Sequence, residues 1–356
     1  MTKSGAWLVL TATLIGIGSP WGAFAAGPMV TVRMSVDEDP IVLRLGESLG
    51  YFRQEGLTVV RVDLERLSKQ DYLIQEPLMK GQLDASYHWF NHAVFGARHG
   101  FPIKAVMLFN DAPGMTIMVA NRVKDQIRSV ADFEGRNVAE GAGYGTKSVI
   151  TNYLTAKGGL PPGSYTPVML GKAGRQDAVI KGLKAGTVDV MTFQEPVTSA
   201  LLRTGMVATL YDLNTRESTV RVLGASFPAQ SLLTSPGFIQ EHPDTVQHLV
   251  NAFVRTMRFV NTHRAEEIAA KLPSGYFAGK DRDAEIEFIR NTLPTYAKGD
   301  YSFPQAAVQL AAEINLSSRF DQSEEGQWRA TGDKSRVRVS ELYTNSFVNK
   351  AMQEIR

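Results

Sequence analysis

Three glycines set two apart, Gly141, Gly143 and Gly145, sit between a short apolar run ending at Glu140 and the segment Thr146-Lys147-Ser148-Val149-Ile150. Without a Cβ, this stretch can turn sharply and bring backbone close to a ligand. Val149, Ile150, Tyr153 and Leu154 give the following residues one apolar side, so a helix is expected from 146, with Thr146 as its cap. Its first N–H groups and the positive end of its dipole would then hold an anionic or strongly polar group, with Lys147 alongside and Tyr144 offering a ring. A plain strand-to-helix turn would use the same glycines. Two sharper readings fail on spacing. A dinucleotide fingerprint needs glycine where Thr146 stands, and a phosphate loop needs glycine directly before Lys147.

Other polar and aromatic residues gather at two places. Tyr87-His88-Trp89-Phe90-Asn91-His92 puts an aromatic cluster where a strand gives way to a helix, and Gln194-Glu195-Pro196 stands at a similar junction. His88, Trp89 and Asn91 are the expected ligand contacts of the first group. His88 and His92 have a four-residue spacing that suits zinc, but no HExxH or third ligand accompanies them, so no metal is assigned. Of the second group Gln194 is favoured; Glu195 also has a sufficient structural role in a first helical turn. Asp37 ends the first strand, and Asp39 before Pro40 reads as a helix cap. Arg175 opens another helix and could neutralise an anion. No G-x-S-x-G elbow or paired-carboxylate signature is present, so nothing demands an enzyme, and no cofactor is called for.

The elements that must position these residues alternate. Strands at 30–34, 58–62, 83–87 and 103–108 are separated by helices at about 40–49, 70–80 and 90–98. A second run follows, with strands at 137–140, 167–170, 188–192 and 207–210 and helices at 146–157, 175–185 and 195–203. Such alternation predicts an α/β fold of two lobes, each a mainly parallel sheet flanked by helices. Gly81-Gln82-Leu83-Asp84 and Gly100 match Gly186-Thr187-Val188-Asp189 and Gly205 at a constant offset of 105, the trace of an internal repeat. Ligands of open parallel sheets bind beyond the carboxyl ends of strands, so the tips at 87–91 and 192–195 are expected to face each other across a cleft. Gly114 to Ala120 carries the chain between the lobes; the return falls somewhere within Val220 to Thr234, a stretch that holds Val222-Leu223 and the strand-like Ala229 to Thr234. Lobe 1 is expected at 26–120 plus 226–356 and lobe 2 at 121–225. Helices are expected at 243–260, 282–292, 304–315 and 340–354, and a polar surface loop at 321–337.

Composition narrows the class. The 356 residues, 44% of them apolar, suffice for two domains, and 38 basic against 36 acidic side chains give no cause to expect a nucleic-acid or anionic-membrane partner. Residues 1–25 read as a secretory signal: Lys3, an apolar core from Trp7 to Ile17, and Ala23-Phe24-Ala25 as cleavage site. With no cysteine in the chain there is neither disulfide nor thiol nucleophile, and the expectation is a soluble periplasmic protein.

Four segments resemble the periplasmic solute-binding proteins of ABC importers, in the nitrate/sulfonate/taurine group. Leu49-Gly50-Tyr51-Phe52-Arg53-Gln54-Glu55-Gly56-Leu57 looks like its LGYFxxEGL segment, and Met79-Lys80-Gly81-Gln82-Leu83-Asp84 is similar to its L-x-x-G-x-x-D turn. Ser129 to Val138 resembles S-x-x-D-L-x-G-K-x-V, and Glu241 to Val246 its x-x-P-x-x-V. The resemblance spans roughly residues 30 to 260. It implies a hinge-closing monomer that delivers a small molecule to a membrane permease, with the named tips lining its cleft. A Trp-x-Pro-Asn segment of pyrimidine binders is missing after the first strand, where Val36-Asp37-Glu38-Asp39 stands. Enzymes of similar fold and sensor modules are the alternatives; the exported amino terminus and the lack of cysteine speak against the enzymes, and no kinase or DNA-binding segment is attached.

Overall fold

The computed structural model describes residues 28–36, 40–67, 74–140, 145–169, 176–277, 281–317 and 333–355. Among the described residues, ten strands form two five-stranded sheets. In chain order they are β1 Val30–Val36, β2 Leu57–Arg61, β3 Ala85–Trp89, β4 Lys104–Leu108, β5 Met115–Ala120, β6 Asn137–Glu140, β7 Thr166–Met169, β8 Val190–Gln194, β9 Val207–Leu213 and β10 Gln230–Thr234. The first sheet has the order β2-β1-β3-β10-β4 and the second β7-β6-β8-β5-β9. In each, four strands run one way and the fourth in order is antiparallel, β10 in one and β5 in the other. Those two strands are the first after each crossing of the chain, so the crossings themselves supply the antiparallel members. The sheets therefore divide within 109–114, and Met115–Ala120, placed with lobe 1 by the sequence, is paired in the second sheet.

Strands such as β5, buried at every position, read as continuous apolar runs because helices cover both faces. The repeat is also one of hydrogen bonding. Asp84, ahead of β3, accepts the backbone N–H of Arg33 on β1 and its guanidinium. Asp189, ahead of β8, accepts the N–H of Asn137 on β6 and the guanidinium of Arg122. Gly100 and Gly205 close equivalent turns at φ of 82° and 68°, a backbone shape that favours glycine. Because the Asp84 turn uses residues 81–84, β3 starts two residues later than the sequence suggests and ends at Trp89.

The helix over Thr146–Lys157 forms as expected, but Gly145 is its cap and Thr146 its first residue. Likewise Pro40, not Asp39, occupies the cap of the helix Ile41–Ser48, at ψ 132°; Asp39 lies outside the described residues. Helices at Arg216–Leu223 and Ala265–Lys271 were not legible. The first starts at a Thr215/Ser218 capping box in a segment short of apolar periodicity. The 20-residue helix Pro243–Thr262 packs its Phe253 edge-on to Phe52 and Phe109, tying the carboxyl-terminal part to the first sheet's body. Among the described residues no helix is long and apolar enough to cross a membrane.

Three segments meet where the chain crosses. Phe227 and Ala229 donate backbone N–H bonds to Asp111 and Asn110, Asp111 donates to Thr295, and Ala297 donates to Phe109. The two crossings and residues 295–297 thus form one hydrogen-bonded hinge.

Candidate functional site

A cavity of about 250 Å³ lies between the two sheets' bodies, at the small end of ligand pockets. Its first wall is the carboxyl end of β3, with Tyr87 and Trp89, backed by Gln230 of β10 and by Pro40 and Ile41. The facing wall is the carboxyl end of β8, with Phe193 and Gln194, followed by Glu195, Pro196 and Val197 and joined by Lys147 and Asn214. Trp89 and Gln194 are the last residues of their strands and stand 105 apart, so the repeat places equivalent tips on opposite sides of one space. The hinge forms the floor through Asn110 and residues 112–114, and Tyr276, Phe288, Asn291, Thr292, Thr295 and Tyr296 add a third wall.

Several polar groups of this lining are tied to structure. Asn110 donates to the hydroxyl of Thr295 at 2.7 Å, Gln194 donates to the carbonyl of Pro113 at 3.3 Å, and Asn214 donates to Thr116 at 2.8 Å. Glu195 accepts from the Ser199 hydroxyl at 2.8 Å, and that hydroxyl accepts from Asn291 at 3.0 Å. The Lys147 ammonium lies 5.3 Å from the centre of the Phe193 ring, a cation–π distance. Among the described lining residues the charged groups are Lys147 and Glu195, and the rest are amides, hydroxyls, aromatic rings and apolar groups. Such a surface can stack a ring, pair with donors and acceptors at once, and offer one cation beside a helix start.

Of the residues singled out by sequence, Trp89, Lys147, Gln194 and Glu195 are on the cavity wall. Gly145 and Thr146 precede Lys147 and are not on it; Thr146 is buried. Asp37 and Tyr144 lie outside the described residues, as does Arg175.

His88 and Asn91 are off the wall, for a physical reason in the first case. Strand alternation that turns Tyr87 and Trp89 toward the cavity turns His88 away, opposite Ser231 of β10. There His88 is buried, its ring 4.1 Å from that of His92, and its Nδ1 accepts the backbone N–H of Trp89. Burial pushes its pKa down to about 3, so it is neutral at physiological pH, with the ring proton on Nε2. Gln75 donates to His92 Nδ1 and to its carbonyl. Among the described residues no group of three or more acidic, His or Cys side chains could hold a metal ion.

The polar wall residues that sequence did not single out include Asn110, Asn214, Gln230 and those of the carboxyl-terminal group. They come from the hinge, a loop, the start of β10 and a distant helix, and no local spacing marks them.

Residues 40–267 match the model of a family described as NMT1/THI5 like. No curated protein matches the chain. The fold is shared with the alkanesulfonate-binding protein SsuA from Xanthomonas axonopodis pv. citri bound to MOPS, at 16% identity and TM-score 0.63 over 90% of this chain and 100% of that one. It is similar to the periplasmic nitrate-binding protein NrtA from Synechocystis PCC 6803, at 13% identity and TM-score 0.62 over 92% and 89%. A desulfurization enzyme, DSZB, also has this fold, at 13% identity and TM-score 0.57 over 92% and 99%.

Proposed function

The chain belongs to the NMT1/THI5-like family and folds as a two-lobe binding protein, and from that premise we propose that it is the periplasmic substrate-binding component of an ABC importer. It captures a small organic solute between its lobes by hinge closure and delivers it to a membrane permease. Residues 1–25 act as the export signal, and the mature chain works as a monomer without a cofactor.

The observation that carries this reading is the cavity bounded by the equivalent strand tips Trp89 and Gln194. A ligand touching both makes more contacts in the closed form than in the open one, and that differential affinity is what shifts the equilibrium. Trp89 supplies a stacking face, Gln194 and the neighbouring amides orient polar atoms, and Lys147 holds an acidic group. The mixture of rings, amides and one cation favours an aromatic or heterocyclic solute with a carboxylate or sulfonate over a bare inorganic anion.

The test is a thermal-shift screen of the mature chain against MOPS and other sulfonates, nitrate, aromatic carboxylates and pyrimidines, repeated on Trp89→Ala with Gln194→Ala. Hits that weaken about tenfold or more in the double variant support the site. Hits bound equally well by both proteins place the site elsewhere. Chemical turnover of a hit would replace the binding reading with an enzymatic one.

A further inference from the structure

The third wall of the cavity comes from the helix Arg282–Thr292, and its contacts say more than its position. This helix runs antiparallel to Val197–Arg203, the helix that begins directly after Glu195 and Pro196. Asn291 donates to the Ser199 hydroxyl at 3.0 Å, and Arg203 pairs with Glu287 at 2.6 Å. The two contacts are four residues apart on each helix, in opposite directions, so side chains from successive turns bridge the two helices. The inner contact continues to the cavity, because the Ser199 hydroxyl donates to Glu195.

Each helix belongs to a different sheet's body, and the inference rests on the hinge closure proposed above. Val197–Arg203 follows β8 in the second sheet's body. Arg282–Thr292 is fixed to the other: Thr295, three residues on, bonds Asn110 and Asp111, and Asn261 of the long carboxyl-terminal helix donates to the carbonyl of Ala297. Arg290 also pairs with Glu266. Rotation about the hinge therefore has to part Ser199 from Asn291 and Arg203 from Glu287, and to withdraw Phe288, Asn291 and Thr292 from the cavity.

We infer that helix 282–292 is a positioning element of the binding site, docked on helix 197–203 through Ser199–Asn291 and Arg203–Glu287 when the cleft closes. It fixes the third wall, and it holds Glu195 in place through Ser199. This goes beyond the binding reading, since it concerns the closed state of the protein alone; its test needs no ligand, and its failure leaves the screen above standing.

The absence of native cysteine allows spin labels at Val60→Cys on the first body and Lys184→Cys on the second, both exposed, with distances read by pulsed dipolar spectroscopy. In ligand-free protein, Arg203→Glu is expected to lower the short-distance population about fivefold, and adding Glu287→Arg to restore it. Ser199→Ala shifts the distribution in the same direction. Should Arg203→Glu fail to fold by circular dichroism, Glu287→Gln at the exposed partner serves instead, with the same shift expected. A folded Arg203→Glu or Glu287→Gln protein with an unchanged distribution overturns the inference, and so does a folded double reversal that does not recover the short distance.

Discussion

His88 shows how a residue can suit a site by type and miss it by direction. Its neutral ring accepts the N–H of Trp89 from behind the wall, so it supports the backbone that presents the indole. The unfolded chain takes up its proton near pH 6.5, whereas the folded chain resists until about pH 3. Between those values the unfolded state binds more protons, and stability falls as pH falls, by at most about 5 kcal/mol for this group. His88→Asn is therefore expected to flatten the loss of urea stability from pH 6.5 to 3 relative to the parent; parallel curves would contradict the assignment. The two clamp aspartates make a second residue-scale expectation. Asp84 and Asp189 are buried and each accepts a backbone N–H and a guanidinium. Asp84→Ala and Asp189→Ala should each cost about 2–3 kcal/mol in denaturant unfolding, and similar losses at both sites would show the clamps to be equivalent.

At the scale of elements, what the sequence revealed followed from short-range physics. The alternation of apolar runs fixes the strands, one-sided apolar spacing finds the helices at 146–157 and 243–260, and the offset of 105 exposes the paired aspartates and glycine turns. What stayed hidden depends on contacts between distant segments. The helix Arg216–Leu223 has a cap but little periodicity, and Asn110, Asn291 and Thr295 reach the cavity only because residues 295–297 join the hinge. The close packing of helices Ile41–Ser48 and Pro243–Thr262 is of the same kind. A Cβ at Gly46 would stand 2.7 Å from the Thr256 hydroxyl and 2.8 Å from the Phe52 ring, both in a packed core. Gly46→Ala is expected to destabilise by about 1–3 kcal/mol from overpacking, outweighing the gain in helix propensity. A calorimetric melting temperature equal to or above the parent's would show that the two helices give way.

For the whole molecule, the two sheets have the same strand order and exchange the chain through a hinge that the carboxyl-terminal segment completes. That arrangement puts equivalent strand tips face to face, and the solute-binding reading rests on it. The most direct measurement is a crystal structure of the mature chain with the strongest hit of the thermal-shift screen. The molecule is expected between the β3 and β8 tips, touching Trp89 from one body and Gln194 or Lys147 from the other. Density for it on the outer face of a single body, with the space between the tips occupied by solvent, would rule out solute capture between the lobes.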